Sequence, residues 1–427
     1  MTPDRSGFVF PGARRAFSLV GCLASPFFVS ACAPPNVPAE PGVAQIAPLA
    51  PTARAEEPRE PVGAPDAGVA PAPTEWRIGA YLSLSGAETQ FGSETKEGFD
   101  LAVDEVNARG GARGRPLRLF YADDRSNAQE AVRQVLRLVQ EDHVVALLGE
   151  VASSRSRAGG LIATREGIPM LTPSSTHPDV TKVGPFVFRA CFTDDRQGRA
   201  AATFVRAGLH KSKVAILFTS DDLYSSGLAK DFRDEWAKEG GVISIERSFL
   251  HSETNFSGHL TAIRAAGVEV IYAPTYYNVM VLIARQAKAL GISGRMFVGG
   301  DGWDASSLLA DAGAEMEGAH FTNHYALDLP GPKNAAFVAK YNERYAHEPS
   351  SLGALGYEAA GLLADAIGRA DGDTPLAIRD ALAATTGFEG LTGPITMNTD
   401  RNPEKRVILL QIKNRKFVHH SSVGGPP

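Results

Sequence analysis

Small hydroxyls, tyrosines and acids recur wherever an apolar run stops. Gly149 leads into Glu150-Val151-Ala152-Ser153-Ser154-Arg155-Ser156, and Leu171 into Thr172-Pro173-Ser174-Ser175-Thr176. Phe218 leads into Thr219-Ser220-Asp221-Asp222-Leu223-Tyr224, Ala273 into Pro274-Thr275-Tyr276-Tyr277, and Val298 into Gly299-Gly300-Asp301-Gly302-Trp303. Hydroxyls and helix-start amides suit a carboxylate, while a buried Asp beside tyrosine oxygens or rings suits an ammonium. Together they suit a zwitterion. Each stretch alone is an ordinary polar loop, and Ser153-Ser154 also fits a plain serine helix cap.

No catalytic pattern competes. The chain has no Gly-x-Ser-x-Gly elbow, no Walker glycine-lysine loop, no Gly-x-Gly-x-x-Gly and no His-Glu-x-x-His. Its 10 histidines are scattered without metal-ligand spacing, and His419-His420 falls in what reads as a C-terminal tail. Cys191 follows an apolar run and reads as a buried thiol rather than a nucleophile. No enzyme, cofactor or metal is expected.

The elements that position these groups alternate. Strands are expected at Arg77–Leu82, Leu117–Tyr121, Val144–Leu148, Pro169–Leu171, Val214–Phe218, Val242–Ile245, Val268–Ala273, Met296–Val298 and Val407–Ile412. Amphipathic helices are expected at Lys96–Ala108, Ala128–Glu141, Gly227–Glu239, Ser257–Ala266 and Tyr276–Leu290. Such alternation builds parallel sheets wound by right-handed crossovers, and about ten units exceed one ordinary sheet, so two α/β lobes follow. Ligands of such sheets sit off the carboxyl ends of the strands, where the five polar stretches fall.

The 427 residues are not uniform. Eleven of the 28 prolines lie between Ala33 and Glu75, a segment that reads as a Pro/Ala-rich disordered tether over 33–75. Before it, Arg14-Arg15, the apolar Ala16–Val29 and Val29-Ser30-Ala31-Cys32 have the order of a secretory signal. Residues 1–32 are therefore expected to be a lipoprotein-type signal with Cys32 acylated. Cys22 would leave too short an apolar stretch, and simple cleavage is the alternative. The near balance of 43 Lys+Arg and 48 Asp+Glu excludes a nucleic-acid footprint.

The run Gly98-Phe99-Asp100-Leu101-Ala102-Val103-Asp104-Glu105-Val106-Asn107-Ala108-Arg109-Gly110-Gly111, followed by Gly114-Arg115-Pro116-Leu117, resembles a signature of periplasmic binding proteins of the leucine/isoleucine/valine type. Ser83-Leu84-Ser85-Gly86, Pro169-Met170-Leu171-Thr172-Pro173 and Tyr224-Ser225-Ser226-Gly227 fit that family in the same order, over Trp76 to Phe417. The resemblance implies a type I periplasmic binding protein fold: α/β, two lobes, each a mostly parallel sheet wound by helices, joined by three hinge crossings and closing over a ligand. It implies that Ser153, Ser174 and Thr176 of the first lobe contact the carboxylate and amino groups. Tyr224, Tyr276 and Asp301 of the second lobe would close over the ligand, with Asp301 taking the α-ammonium. Branched-chain binders often carry a small first-lobe disulfide, and the matching stretches Asp123–Asn127 and Gly149–Ser153 hold no Cys.

The same resemblance sets the expected lobes at 76–195 plus 323–393 and 196–322 plus 394–420, with a disordered tail at 421–427. Crossings are expected near Thr193–Gln197, Thr322–Tyr325 and Gly390–Ile395. The implied partners are an amino acid or analogue and the permease subunits of an ABC importer. The chain is expected to be exported, monomeric, held to a bacterial membrane through its lipid alone and without nucleic acid. If Glu150, Asp221 and Asp222 face the cleft, a basic or polar ligand is favoured over leucine. A sensory lipoprotein with the same lobes, or an α/β enzyme without recognisable motifs, are the alternatives.

Overall fold

The computed structural model describes residues 74–424. The expected signal, Cys32 and nearly all of the tether lie outside the described residues. From Trp76 the apolar runs and amphipathic stretches alternate as strands and helices: β1 (Trp76–Leu82), α1 (Thr89–Ala108), β2 (Leu117–Asp123), α2 (Ala128–Gln140), β3 (Ala146–Leu148), α3 (Ser153–Glu166), β4 (Met170–Thr172), the short α4 (Asp179–Lys182) and β5 (Val187–Arg189). These five strands form one parallel sheet in the order β2-β1-β3-β4-β5. Trp76 enters it buried, with its indole N–H on the Ala112 carbonyl at 2.8 Å and the Arg115 guanidinium 3.8 Å above its ring.

The second lobe continues the rhythm with α5 (Asp194–Thr203), β6 (Lys213–Thr219), α6 (Leu223–Lys238), β7 (Val242–Phe249), α7 (Ser257–Ala265), β8 (Val270–Tyr272), α8 (Tyr277–Ala289), β9 (Phe297–Gly299), α9 (Ser306–Ala312) and β10 (His320–Asn323). The chain then returns to the first lobe as α10 (Pro332–Tyr345), α11 (Ser351–Arg369), α12 (Pro375–Ala383) and the small hairpin β11 (Phe388–Glu389) and β12 (Pro394–Ile395). It finishes on the second sheet with β13 (Val407–Lys413) and β14 (Lys416–Val423). That sheet runs β14-β13-β10-β9-β8-β6-β7, parallel except for the antiparallel pairs β10–β13 and β13–β14. The backbone thus passes between the sheets three times.

Several expectations change. Helix α1 starts at Thr89, seven residues before the expected Lys96, and β7 runs to Phe249 rather than Ile245. The C-terminus is not a tail at His419-His420, and ordered strand extends past the expected boundary at 421: β14 pairs with β13 as far as Val423. Gly390–Ile395 belongs to the β11–β12 hairpin, and the passage to β13 comes after it. Behind that hairpin Lys405 Nζ meets the Glu358 carboxylate and, at 2.6 Å, Thr392 Oγ1, all three buried.

Helix α11 lies along α1, and glycines permit the approach. A Cβ at Gly98 would stand 2.1 Å from the Gly353 carbonyl oxygen, and one at Gly356 would stand 2.5 Å from that of Thr95. Backbone on both sides cannot yield as a flexible side chain does. Gly98→Ala is therefore expected to cost about 1–3 kcal/mol by overpacking, read as a lower urea midpoint; an unchanged midpoint would contradict the close contact.

Candidate functional site

The strand ends and helix starts converge between the lobes. Ser153 is the first residue of α3, Ser174 and Thr176 follow β4, Tyr224 is the second residue of α6, Tyr276 precedes α8, and Asp301 opens a single 3-10 turn after β9. All six line one narrow cavity of about 20 Å³, together with Phe91, Val151, Gly302 and Leu352. That is space for about one water-sized molecule, so a larger guest requires the lobes to part. Ser153 is not a helix cap: Ala152 holds that position, and the Ser153 hydroxyl accepts from the His177 amide at 3.2 Å.

The cavity has two chemical ends and an apolar wall. On the first lobe, the Ser174 hydroxyl has no hydrogen-bond partner among the described residues, and the first-turn amides of α3 begin beside it. On the second lobe, Asp301 is held from three sides. Its Oδ1 accepts from Tyr224 Oη and Gln197 Nε2, each at 2.9 Å, and its Oδ2 lies 2.9 Å from His324 Nε2. Gln197 Oε1 in turn accepts from the Asp301 amide at 2.9 Å and from Thr322 Oγ1 at 2.7 Å. The Tyr224 and Tyr276 rings stack 5.0 Å apart, and Phe91 meets Tyr276 edge-on at 5.5 Å. A carboxylate at one end, an ammonium at Asp301 and an aliphatic group against Phe91, Val151 and Leu352 would all be matched.

Gln197, His324, Thr322, Phe91 and Leu352 were not singled out from the sequence. The first three come from segments near the lobe crossings and carry no periodic signal; Phe91 lies in the part of α1 that the expected helix start omitted.

The acids suspected of lining the mouth do other work. Glu150 is fully buried and paired with Arg155 Nε at 3.0 Å, while its other oxygen accepts from the Ser83 hydroxyl and amide. Arg155 Nη1 also meets Glu88 at 2.5 Å, and Nε lies 3.8 Å from Asp124. Burial, with Glu150 beside it, pushes the Asp124 carboxyl well above its ordinary range. Asp221 is exposed and accepts from the His251 amide at 2.8 Å, and Asp222 caps α6 through Ser225 N at 2.8 Å. None of the three acids lines the cavity.

His177, next to Thr176, gives the fold a dependence on acid. Burial pushes it down to about 4, and its Nδ1 accepts from the Asp179 amide at 3.2 Å. A base depressed in the folded state is charged only after unfolding between its folded value and about 6.5. Stability from this group is therefore full above pH 6.5 and falls as pH drops toward 4. His177→Asn, which retains an acceptor but cannot titrate, is expected to shrink the fall in urea midpoint between pH 7 and pH 5; an equal fall in both proteins would acquit His177.

Two α/β lobes, three crossings and a polar cleft between opposed strand ends define a two-lobed solute-binding protein. A family model described as periplasmic binding protein matches residues 75–416, and the chain belongs to that family. It is 30% identical over 312 residues to the leucine-, isoleucine-, valine-, threonine- and alanine-binding protein of Pseudomonas aeruginosa, covering 73% of this chain and 82% of the relative. Among solved structures it resembles the leucine binding protein LivK of Thermotoga maritima, with a TM-score of 0.77 at 33% identity over 81% of this chain and 98% of that one. LivJ of Streptococcus pneumoniae, a branched-chain amino acid transporter substrate binding protein in complex with isoleucine, gives 0.77 at 30% identity over 82% and 100%.

Proposed function

We propose that this protein is the extracytoplasmic substrate-binding component of an ABC importer. It captures a small amino acid or related metabolite between its closing lobes and hands it to the permease subunits. The observation that carries this reading is the caged Asp301 carboxylate facing hydroxyls and helix-start amides across the cavity. Ser153, Ser174 and Thr176 hold the carboxylate side, and Tyr224, Tyr276 and Asp301 hold the ammonium side. Phe91, Val151 and Leu352 favour an aliphatic side chain, in keeping with the leucine and isoleucine of the relatives' names. The protein acts as a monomer without cofactor or catalysis, exported and tied to the membrane through a lipid on Cys32.

A thermal-shift panel of all amino acids, amides and small aromatic acids tests it. A ligand at about 100 times its Kd adds about 2.7 kcal/mol to folding stability, so aliphatic L-amino acids are expected to raise the melting temperature clearly. A panel in which nothing shifts would overturn the reading.

A further inference from the structure

We infer that the cavity where the two lobes and a crossing meet is a second binding site, one that takes a small organic ammonium compound with an apolar body. The cavity is about 710 Å³ and is separate from the principal one. Phe91, Gly302 and Leu352 face the principal cavity, whereas Gln90, Asp304 and Ser351 from the same three stretches face this one. A single layer of chain divides them.

Two carboxyls from opposite lobes stand in its wall. Glu94 is 4% exposed; its Oε1 accepts from Gln90 Nε2 at 2.6 Å and from Ser306 Oγ at 3.1 Å, and its Oε2 has no hydrogen-bond partner among the described residues. Asp304 is 2% exposed; its Oδ2 accepts from Asn323 Nδ2 at 2.6 Å and from the Ser351 amide at 3.1 Å, and its Oδ1 has no partner among the described residues. The hydroxyls of Ser350 and Ser351 are near enough to temper the two acids, yet neither completes a bond of good geometry to those two oxygens. Burial pushes Glu94 up to about 7, with the Asp304 charge adding to the rise, and burial raises Asp304 as well. Buried carboxyls with unbonded oxygens are costly alone and are relieved by a cation that donates to them. Of the basic groups on the wall, Arg415 donates to the Leu309 and Ala310 carbonyls, His347 lies 3.4 Å from Glu97, and Lys416 is exposed at the solvent side. Leu309, Tyr325, Leu410 and Phe417 supply the apolar side of the cavity.

The test is calorimetric titration of the whole protein with 2-phenylethylamine and, as an uncharged counterpart, 2-phenylethanol. Wild type and Asp301→Ala are expected to bind the amine saturably. The alcohol on wild type, and the amine on Glu94→Gln, are expected to bind about tenfold more weakly or worse, through loss of charge-assisted hydrogen bonds. Absence of amine binding to wild type, or equal affinity for amine and alcohol, would overturn the proposal. So would amine binding lost in Asp301→Ala but kept in Glu94→Gln, which would place the amine in the principal cavity. Should Glu94→Gln not fold, the amine and alcohol comparison on wild type still decides. A negative result here leaves the amino-acid reading intact, because that reading depends on the other cavity.

Discussion

Asp301→Ala is expected to abolish measurable amino-acid binding while leaving the protein folded. Both oxygens of this carboxylate are fixed by Tyr224, Gln197 and His324, so an ammonium arriving at the cleft meets an anion already oriented toward it. Truncating one partner of a buried, hydrogen-bonded charge pair costs about 2–5 kcal/mol, a loss of about thirtyfold or more in affinity. The fold has little stake in the residue: Gln197 keeps Thr322, and Tyr224 keeps the Gly302 amide at 3.0 Å. Calorimetry with the ligand from the panel, beside circular dichroism of the variant, checks both halves. Unchanged affinity would remove Asp301 from the site.

Arg155→Met should be the most damaging single change to stability. Arg155 is 4% exposed, and its guanidinium is the shared counter-charge of Glu88 and Glu150, which are themselves buried. Its loss leaves carboxylates in a low-dielectric interior with no cation, a defect worth about 3–5 kcal/mol. His251 of the second lobe lies 3.6 Å from Glu88 and cannot replace an arginine that meets two acids at once. Glu150→Gln in the Arg155→Met background should restore part of the loss, because it removes one of the stranded charges. Chemical denaturation of the three proteins measures this. If Arg155→Met unfolds at the wild-type midpoint, the cluster is not held together by that charge.

The βα alternation was legible because Val/Ile/Leu runs and amphipathic stretches have different periods, and each helix hides only one face. What escaped obeys neither rule. Helix α11 (LGALGYEAAGLLADAI) is buried around most of its surface, so no polar stripe marks it. Strand β10 is four residues long, with a histidine, a threonine and an asparagine among them. β14 alternates weakly and reads as a tail until β13 supplies its partner. The polar stretches at the strand ends were legible as such, and the resemblance to the leucine/isoleucine/valine-binding family chose the six side chains within them. The groups that orient them were not legible: Gln197 and His324 meet Asp301 only once distant stretches are brought together. The acid at 150 was visible, but its pairing with Arg155 depends on the turn from β3 into α3, and the link on to Glu88 depends on how α3 is set beside the start of α1.

The position of β1 has a mechanical consequence. Its first residue, Trp76, is where the described chain enters the sheet, and β1 sits between β2 and β3 with seven parallel registers to one and three to the other. A force drawn along the chain from the N-terminal side therefore acts parallel to the strand. It strains the ladder bonds on both flanks together in shear, rather than peeling them one by one. The same force must also free the Trp76 indole from Ala112. The body should tolerate tugging at that end far better than at β14, which has a single neighbouring strand among the described residues.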